Sequence, residues 1–262
     1  MNLDLNDKHA IVCGSTQGIG KAIAMELASL GARITLVARD EKKLEEVKSE
    51  LSKEKNQKHD FVVADFNLPD ALKVKIEEHL WKSGPAHILI NNTGGPPGGP
   101  IADASADEFL NAFNAHLLCN HILMQVVLEG MKEAKYGRII NIISTSVKQP
   151  LRGLGVSNTI RAAVANWSKT LSVELAPFGI TVNNVLPGAT KTQRLQSLIH
   201  NKSEKTNHTV SAITDEMLKE IPAGRFGEPA ELSYAVAFLA SPAAAYINGI
   251  NLPVDGGRTG CL

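Results

Sequence analysis

The chain has 262 residues, 44% of them apolar, with 27 basic and 27 acidic side chains. That length and apolar share suit one α/β domain with a full core, and the balanced charge gives no pull toward nucleic acid or an anionic membrane surface. No apolar run is long enough to span a bilayer. Residues 1–5 lack the charge and apolar core of a signal peptide. Cys13, Cys119 and Cys261 lie far apart without metal-ligand spacing, so reduced thiols, a cytoplasmic location and no metal are expected.

Residues 9–13 read as a strand, and 18–30 as a helix with Ile19, Ile23, Leu27 and Leu30 on one face. A strand at 33–38 leads to a charged helix at 41–55. A strand at 61–65 precedes a helix at 69–82 opened by Pro69, then a strand at 87–91. Residues 106–135 form one long helix, 138–144 a strand, 155–177 a helix and 180–185 a strand. A helix at 228–240 and a strand at 250–254 complete the order. The alternation, with nearly continuous apolar strands, predicts an α/β fold: a doubly wound, Rossmann-type parallel sheet of about seven strands with helices on both faces. No linker divides the chain, so 1–262 is read as a single domain. Residues 197–215 are polar and follow a Pro-Gly. They break the rhythm as a long loop, either a substrate lid within 190–221 or a mobile connection.

Between the first strand and its helix stands Gly14-Ser15-Thr16-Gln17-Gly18-Ile19-Gly20. Glycines let a backbone turn sharply and approach a pyrophosphate, and the helix amino end offers free N–H groups and partial positive charge. The strand-to-helix setting is the context such a motif requires. Gly14, Ser15, Gln17, Gly18, Ile19 and Gly20 are therefore candidate dinucleotide ligands.

The spacing Gly-x-x-x-Gly-x-Gly resembles that of the short-chain dehydrogenase/reductase family, with 3-oxoacyl-(acyl-carrier-protein) reductases as the nearest type. Further marks follow in order. Asp65, with Phe66 after it, ends the third strand, where the family faces the adenine. Asn91-Asn92-Thr93-Gly94 stands for the family's Asn-Asn-Ala-Gly. Pro187-Gly188 follows the sixth strand, with Thr192 where a family Thr reaches the nicotinamide side. Arg225-Phe226-Gly227-Glu228-Pro229 and Val254-Asp255-Gly256-Gly257 match carboxyl-terminal signatures. The resemblance implies a nicotinamide cofactor and a homotetramer, or a homodimer, built on the two long helices and the last strand.

Charge bears on the cofactor. Dinucleotide sites for NAD place an acid at the end of the second strand, which repels a 2′-phosphate. Here the strand ends Leu36-Val37-Ala38-Arg39. The family's acid position holds Ala38, and Arg39 can pair with a phosphate through its planar fork. NADP(H) is expected. NAD(H) remains open if Asp40 turns inward and Arg39 is only a solvated charge.

The resemblance implies Asn, Ser and Tyr-x-x-x-Lys as catalytic machinery, and three of these four positions differ. Ser144 is retained. Counting without gaps, Tyr falls on Ser157, Lys on Arg161 and Asn on His116. A serine hydroxyl is a far weaker acid than a phenol. Arg161 keeps a fixed charge to hold ribose hydroxyls or orient substrate but cannot shuttle protons. His116 would add acid–base ability near neutrality, unless it is simply a packed helix residue. Lys148, in the loop after Ser144, could bring a charge or proton to the substrate side, or be a surface lysine. The stretch Gly94-Gly95-Pro96-Pro97-Gly98-Gly99-Pro100 should wall the pocket.

Three functions compete at this point. The first is an NADP(H)-dependent oxidoreductase, interconverting a small-molecule carbonyl and alcohol with an altered proton donor. The second is an NADP(H)-binding regulatory protein without redox catalysis. The third, a lyase or dehydratase on the same frame, has no residue arguing for it.

Overall fold

The computed structural model describes residues 1–261. Its seven strands are β1 (His9–Cys13), β2 (Arg33–Ala38), β3 (Asp60–Val63), β4 (Ile88–Asn91), β5 (Gly137–Ile142), β6 (Ile180–Pro187) and β7 (Asn251–Val254). They form one sheet in the order β3-β2-β1-β4-β5-β6-β7, and every neighbouring pair is parallel. The expected doubly wound sheet is what the chain builds. Its order reverses between β1 and β4, so a crevice opens there beyond the carboxyl ends of the strands.

Both faces are covered, which is why the strands are apolar on both sides. Ala10, Val12, Ile34, Leu36, Ile88 and Ile90 point into a core shared with α1 (Gly18–Ser29), α2 (Glu41–Glu50) and α9 (Pro229–Ala240). The alternate residues Ile11, Cys13, Val37, Leu89, Ile139 and Val182 meet α3 (Pro69–Ser83), α5 (Cys119–Glu133) and α6 (Gly155–Leu175) on the other side. Among the described residues, no helix is long and apolar enough to cross a membrane.

Three expectations need correction. The charged helix predicted over 41–55 stops at Glu50, because Leu51 is extended and Asn56 turns the chain with φ 60°. The helix predicted over 106–135 is α4 (Ala106–Phe113), a π-turn (Asn114–Leu118) and then α5. The polar segment 197–215 is not a loop: α7 (Gln193–Thr206) and α8 (Val210–Lys219) fold as a hairpin. Thr192 and Thr209 cap the two helices through their hydroxyls, and Asn207 ends α7 in the left-handed conformation. Leu195, Ile199, Ile213, Ile221 and Phe226 give this hairpin a small core of its own.

Within the sheet runs a row of asparagines. Asn91, Asn141, Asn184 and Asn251 occupy matching positions on β4 to β7. Asn91 Nδ2 donates to Asn141 Oδ1 (2.8 Å), Asn141 Nδ2 to Asn184 Oδ1 (3.0 Å) and to Ser168 Oγ (2.8 Å), and Asn184 Nδ2 to Asn251 Oδ1 (2.8 Å). Buried amides are tolerated here because each bonds a side chain on a neighbouring strand, although Asn91 Oδ1 itself has no hydrogen-bond partner among the described residues.

Candidate active site

A cleft of about 2200 Å³ lies over the carboxyl ends of the strands, between the glycine loop, the connections after β4 and β5, and the α7–α8 hairpin. One end is the glycine loop. Gly14 adopts φ 58°, and a Cβ there would sit 2.4 Å from the Asn92 carbonyl oxygen; a Cβ on Gly20 would sit 2.2 Å from the Gly14 oxygen. Only glycine lets β1, the loop and α1 approach this closely. Asn92 fixes the loop from across the switch point, its Nδ2 donating to the Cys13 and Gly14 carbonyls at 3.2 and 3.1 Å.

Gly14, Gln17, Gly18 and Ile19 line the cleft, as does Thr16. Ser15 does not. It is fully buried, and its Oγ accepts from Val37 N–H (3.2 Å), tying the loop to β2. Gly20 serves as the close-packing point just described. The amino end of α1 has no side-chain cap and no acid in its first turn, so its N–H groups face the cleft uncompensated.

At the end of β2, Arg39 is exposed on the cleft rim and has no carboxylate partner among the described residues. Asp40 also lines the cleft but is engaged as a cap: it accepts from Lys43 N–H (3.2 Å) at the start of α2, with Lys43 Nζ at 3.8 Å. Phe66 lines the cleft beside Ala64 and Asn67. Asp65 folds back, its Oδ1 accepting from Asn67 N–H (2.9 Å), so it shapes the turn that presents Phe66. Asn91 belongs to the buried row rather than to the cleft, whereas Asn92, Thr93 and Gly94 border it. Pro187, Gly188 and Thr192 form the opposite wall, where Thr192 caps α7.

The far end of the cleft holds Ser144, Ser157 and Arg161 together. Ser144 Oγ accepts from Ser146 N–H (3.0 Å). Ser157 lies in the first turn of α6. Arg161, one turn on, is 8% exposed; its Nη1 donates to the Ile142 carbonyl (2.9 Å) and its Nη2 reaches the Thr93 carbonyl at 3.5 Å. Burial, with the nearby Arg194 charge, lowers its pKa to about 10, so it is a cation at neutral pH.

Two candidates stand elsewhere. His116, in the π-turn, is 2% exposed and outside the cleft lining, with its Nδ1 2.5 Å from Thr93 Oγ1. Burial and then the Arg161 charge bring its pKa down to about 3. It is a neutral ring behind Thr93, not a group that titrates near pH 7. Lys148 is half-buried outside the lining, and its carbonyl accepts from Cys261 Sγ (3.7 Å). Gly94, Gly95, Gly98, Gly99 and Pro100 do line the cleft, and Gly99 is stitched to the loop before α6, donating to Gly153 O at 2.8 Å. Sequence reasoning missed Asn92, whose signal was its place beside Asn91, and Arg194, which no motif marked. No group of three His, Cys, Asp or Glu among the described residues is placed to hold a metal ion.

This geometry can be set against known proteins. Residues 14–259 match the family model described as enoyl-(acyl carrier protein) reductase. The 3-oxoacyl-(acyl-carrier-protein) reductase FabG of Vibrio cholerae is 33% identical over 257 residues, spanning 97% of this chain and 98% of that protein. The chain belongs to the short-chain dehydrogenase/reductase family. Among relatives of this family, the NADPH-dependent reductase BacG of Bacillus subtilis is 30% identical over 97% of this chain and 98% of its own. L-sorbose reductase from Gluconobacter frateurii, solved with NADPH and L-sorbose, superposes with a TM-score of 0.93 at 29% identity, covering 100% of both chains. The short-chain dehydrogenase/reductase frame thus extends over the whole cleft, including the glycine loop and the walls after β4, β5 and β6.

Proposed function

We propose that the protein is an NADP(H)-dependent oxidoreductase that interconverts a carbonyl and an alcohol with an altered proton donor. One arrangement carries the reading: a single cleft has a dinucleotide cradle with Arg39 at one end, and Ser144, Ser157 and Arg161 at the other. The cradle fits the dinucleotide, since its glycines leave room for a diphosphate and the bare helix end attracts one. Arg39, with Asp40 engaged as a cap, favours the 2′-phosphate of NADP(H) over the bare ribose of NAD(H).

A bound nicotinamide supplies or accepts the hydride. The chain's own residues handle position and charge. Ser144 Oγ already accepts from Ser146 N–H, so its own proton is available to a substrate oxygen. Arg161 supplies a fixed cation that orients the substrate or holds the ribose hydroxyls. Ser157 is too weak an acid to replace a phenol, so the proton that completes the alcohol comes from water in the cleft, relayed through the serine hydroxyls. Loss of a dedicated acid–base group typically costs roughly 10²–10⁴ in rate, which leaves measurable turnover. The α7–α8 hairpin, within 190–221, serves as the substrate lid.

The burial of His116 also supports a second reading, an NADP(H)-binding regulatory protein, because that histidine then does not replace the missing phenol. One experiment separates the two: incubation with NADPH and a panel of ketones, aldehydes and sugars, followed by absorbance, and with NADP+ and the alcohols. Turnover that depends on Ser144 supports the oxidoreductase. Tight cofactor binding with no turnover in either direction supports the regulator. Assembly as a homotetramer, or a homodimer, is proposed from the family resemblance, and a monomeric mass in solution would refute both.

A further inference from the structure

Two arginines meet on the substrate side of the cleft. Arg161 comes from α6 and Arg194 from the first turn of α7. Arg194 Nη2 donates to the Pro96 carbonyl (2.8 Å), and Arg161 donates to the Ile142 carbonyl (2.9 Å). Gly95 lies between them. A methyl group on its Cα would stand 3.4 Å from Arg194 Nη2 and 3.9 Å from Arg161 Nη2. Both guanidiniums therefore face one small space, left open because residue 95 has no side chain.

The charges in that space are not balanced. Neither arginine forms an ion pair with a carboxylate among the described residues. Their partners are backbone carbonyls, which accept hydrogen bonds but leave both charges in place. Keeping a buried cation beside another cation is costly, and the Arg194 charge is felt at Arg161. Arg194 is exposed to solvent, so the unmet charge is that of the buried Arg161, and an anion entering the space would relieve it while Arg194 closes over the anion from the solvent side. Two planar forks on either side of one point suit a carboxylate.

We infer that Arg161 and Arg194 jointly bind the carboxylate of the substrate, so that the protein acts on an oxo acid or hydroxy acid rather than on a neutral carbonyl compound. This inference rests on the oxidoreductase reading of the same cleft. It assigns Arg161 the orientation of substrate, and it makes Arg194 and Gly95 determinants of specificity. The hydride and proton balance is unchanged: the oxo carbon takes the hydride, its oxygen takes the proton, and the carboxylate is untouched.

The test is calorimetry on the full chain saturated with NADP+, a form that cannot reduce an oxo acid. The probes are α-, β- and γ-oxo acids, each beside its methyl ester. At least one acid should bind roughly tenfold to hundredfold more tightly than its ester, the range for a charge-assisted hydrogen-bonded contact. Arg194→Gln should bring that ratio close to one while leaving NADP+ affinity within about twofold. Gly95→Ala, which fills the space at a position with ordinary backbone torsions, should do the same. Equal binding of acid and ester throughout overturns the inference and leaves the oxidoreductase reading standing. If Arg194→Gln weakens NADP+ and spares the acid preference, the arginine serves a cofactor phosphate, and the inference fails. Absence of NADP+ binding to the unaltered protein overturns the oxidoreductase reading itself.

Discussion

The Thr93 hydroxyl and the His116 ring stand 2.5 Å apart, with the ring sealed behind the cleft wall. A histidine so placed orients the Thr93 hydroxyl, and its burial keeps the ring neutral near pH 7. His116→Asn, which installs the residue the family carries, should therefore leave the form of the pH–rate profile unchanged between pH 6 and 8. An inflection near neutrality that vanishes in the variant would return His116 to the catalytic set.

The same burial governs acid stability. His9 and His116 both have their pKa lowered from 6.5 to about 3. Between those values the unfolded chain binds protons that the folded chain does not. Their contribution is thus complete above pH 6.5 and is lost as pH falls toward 3. Each adds a slope of up to about 1.4 kcal/mol per pH unit. Urea unfolding at a series of pH values should show this decline, and His116→Asn should remove its share. Equal slopes in the two proteins would count against the lowered value.

Arg39 is expected to discriminate between cofactors. Arg39→Ala should weaken NADPH binding by roughly tenfold to hundredfold, the worth of a charge-assisted pairing, and change NADH binding little. Fluorescence titration with both reduced cofactors measures this. Parallel losses for the two would mean that Arg39 shapes the loop instead of reading the phosphate.

Gly14→Ala should abolish binding of either dinucleotide, because the methyl group would collide with the Asn92 carbonyl at a φ that disfavours alanine. The strain should also lower stability by about 1–3 kcal/mol. Asn92→Ala is the gentler probe. It frees the loop without filling it, and should weaken NADPH and NADH alike. A cofactor-selective loss would show that Asn92 does more than hold the loop.

Asn141 sits within the asparagine row, bonded to Asn91, Asn184 and Ser168. Asn141→Ala strips these partners at a fully buried position and should cost about 2–4 kcal/mol, seen in denaturant unfolding. A loss under about 1 kcal/mol would mean that the neighbours re-pair or that water enters.

Legibility followed the length scale of each signal. The sheet was readable because buried parallel strands are apolar runs a few residues long, and the helices between them show a 3.6 period. The glycine loop was readable because its backbone needs Gly14 and Gly18 at positive φ. The α7–α8 hairpin was missed because it is mostly polar, and its apolar residues, Leu195, Ile199 and Ile213, mark only a narrow stripe beneath two threonine caps. Family counting brought Ser144, Ser157 and Arg161 into one cleft. It could not tell that His116 and Ser15 point away from it, since a one-dimensional pattern places a residue on an element but does not give its depth. Arg194 escaped for a different reason: its significance lies in proximity to Arg161, thirty-three positions away in sequence.

Thr192 caps α7 beside Gly18, and Arg194 stands two residues on in its first turn, over Gly95. Any adjustment that a dinucleotide forces on the first is carried two residues along to the second. If the cradle's occupant shifts Thr192, Arg194 shifts with it, and steady-state kinetics should follow a compulsory order in which the nucleotide arrives before its reaction partner and departs after it.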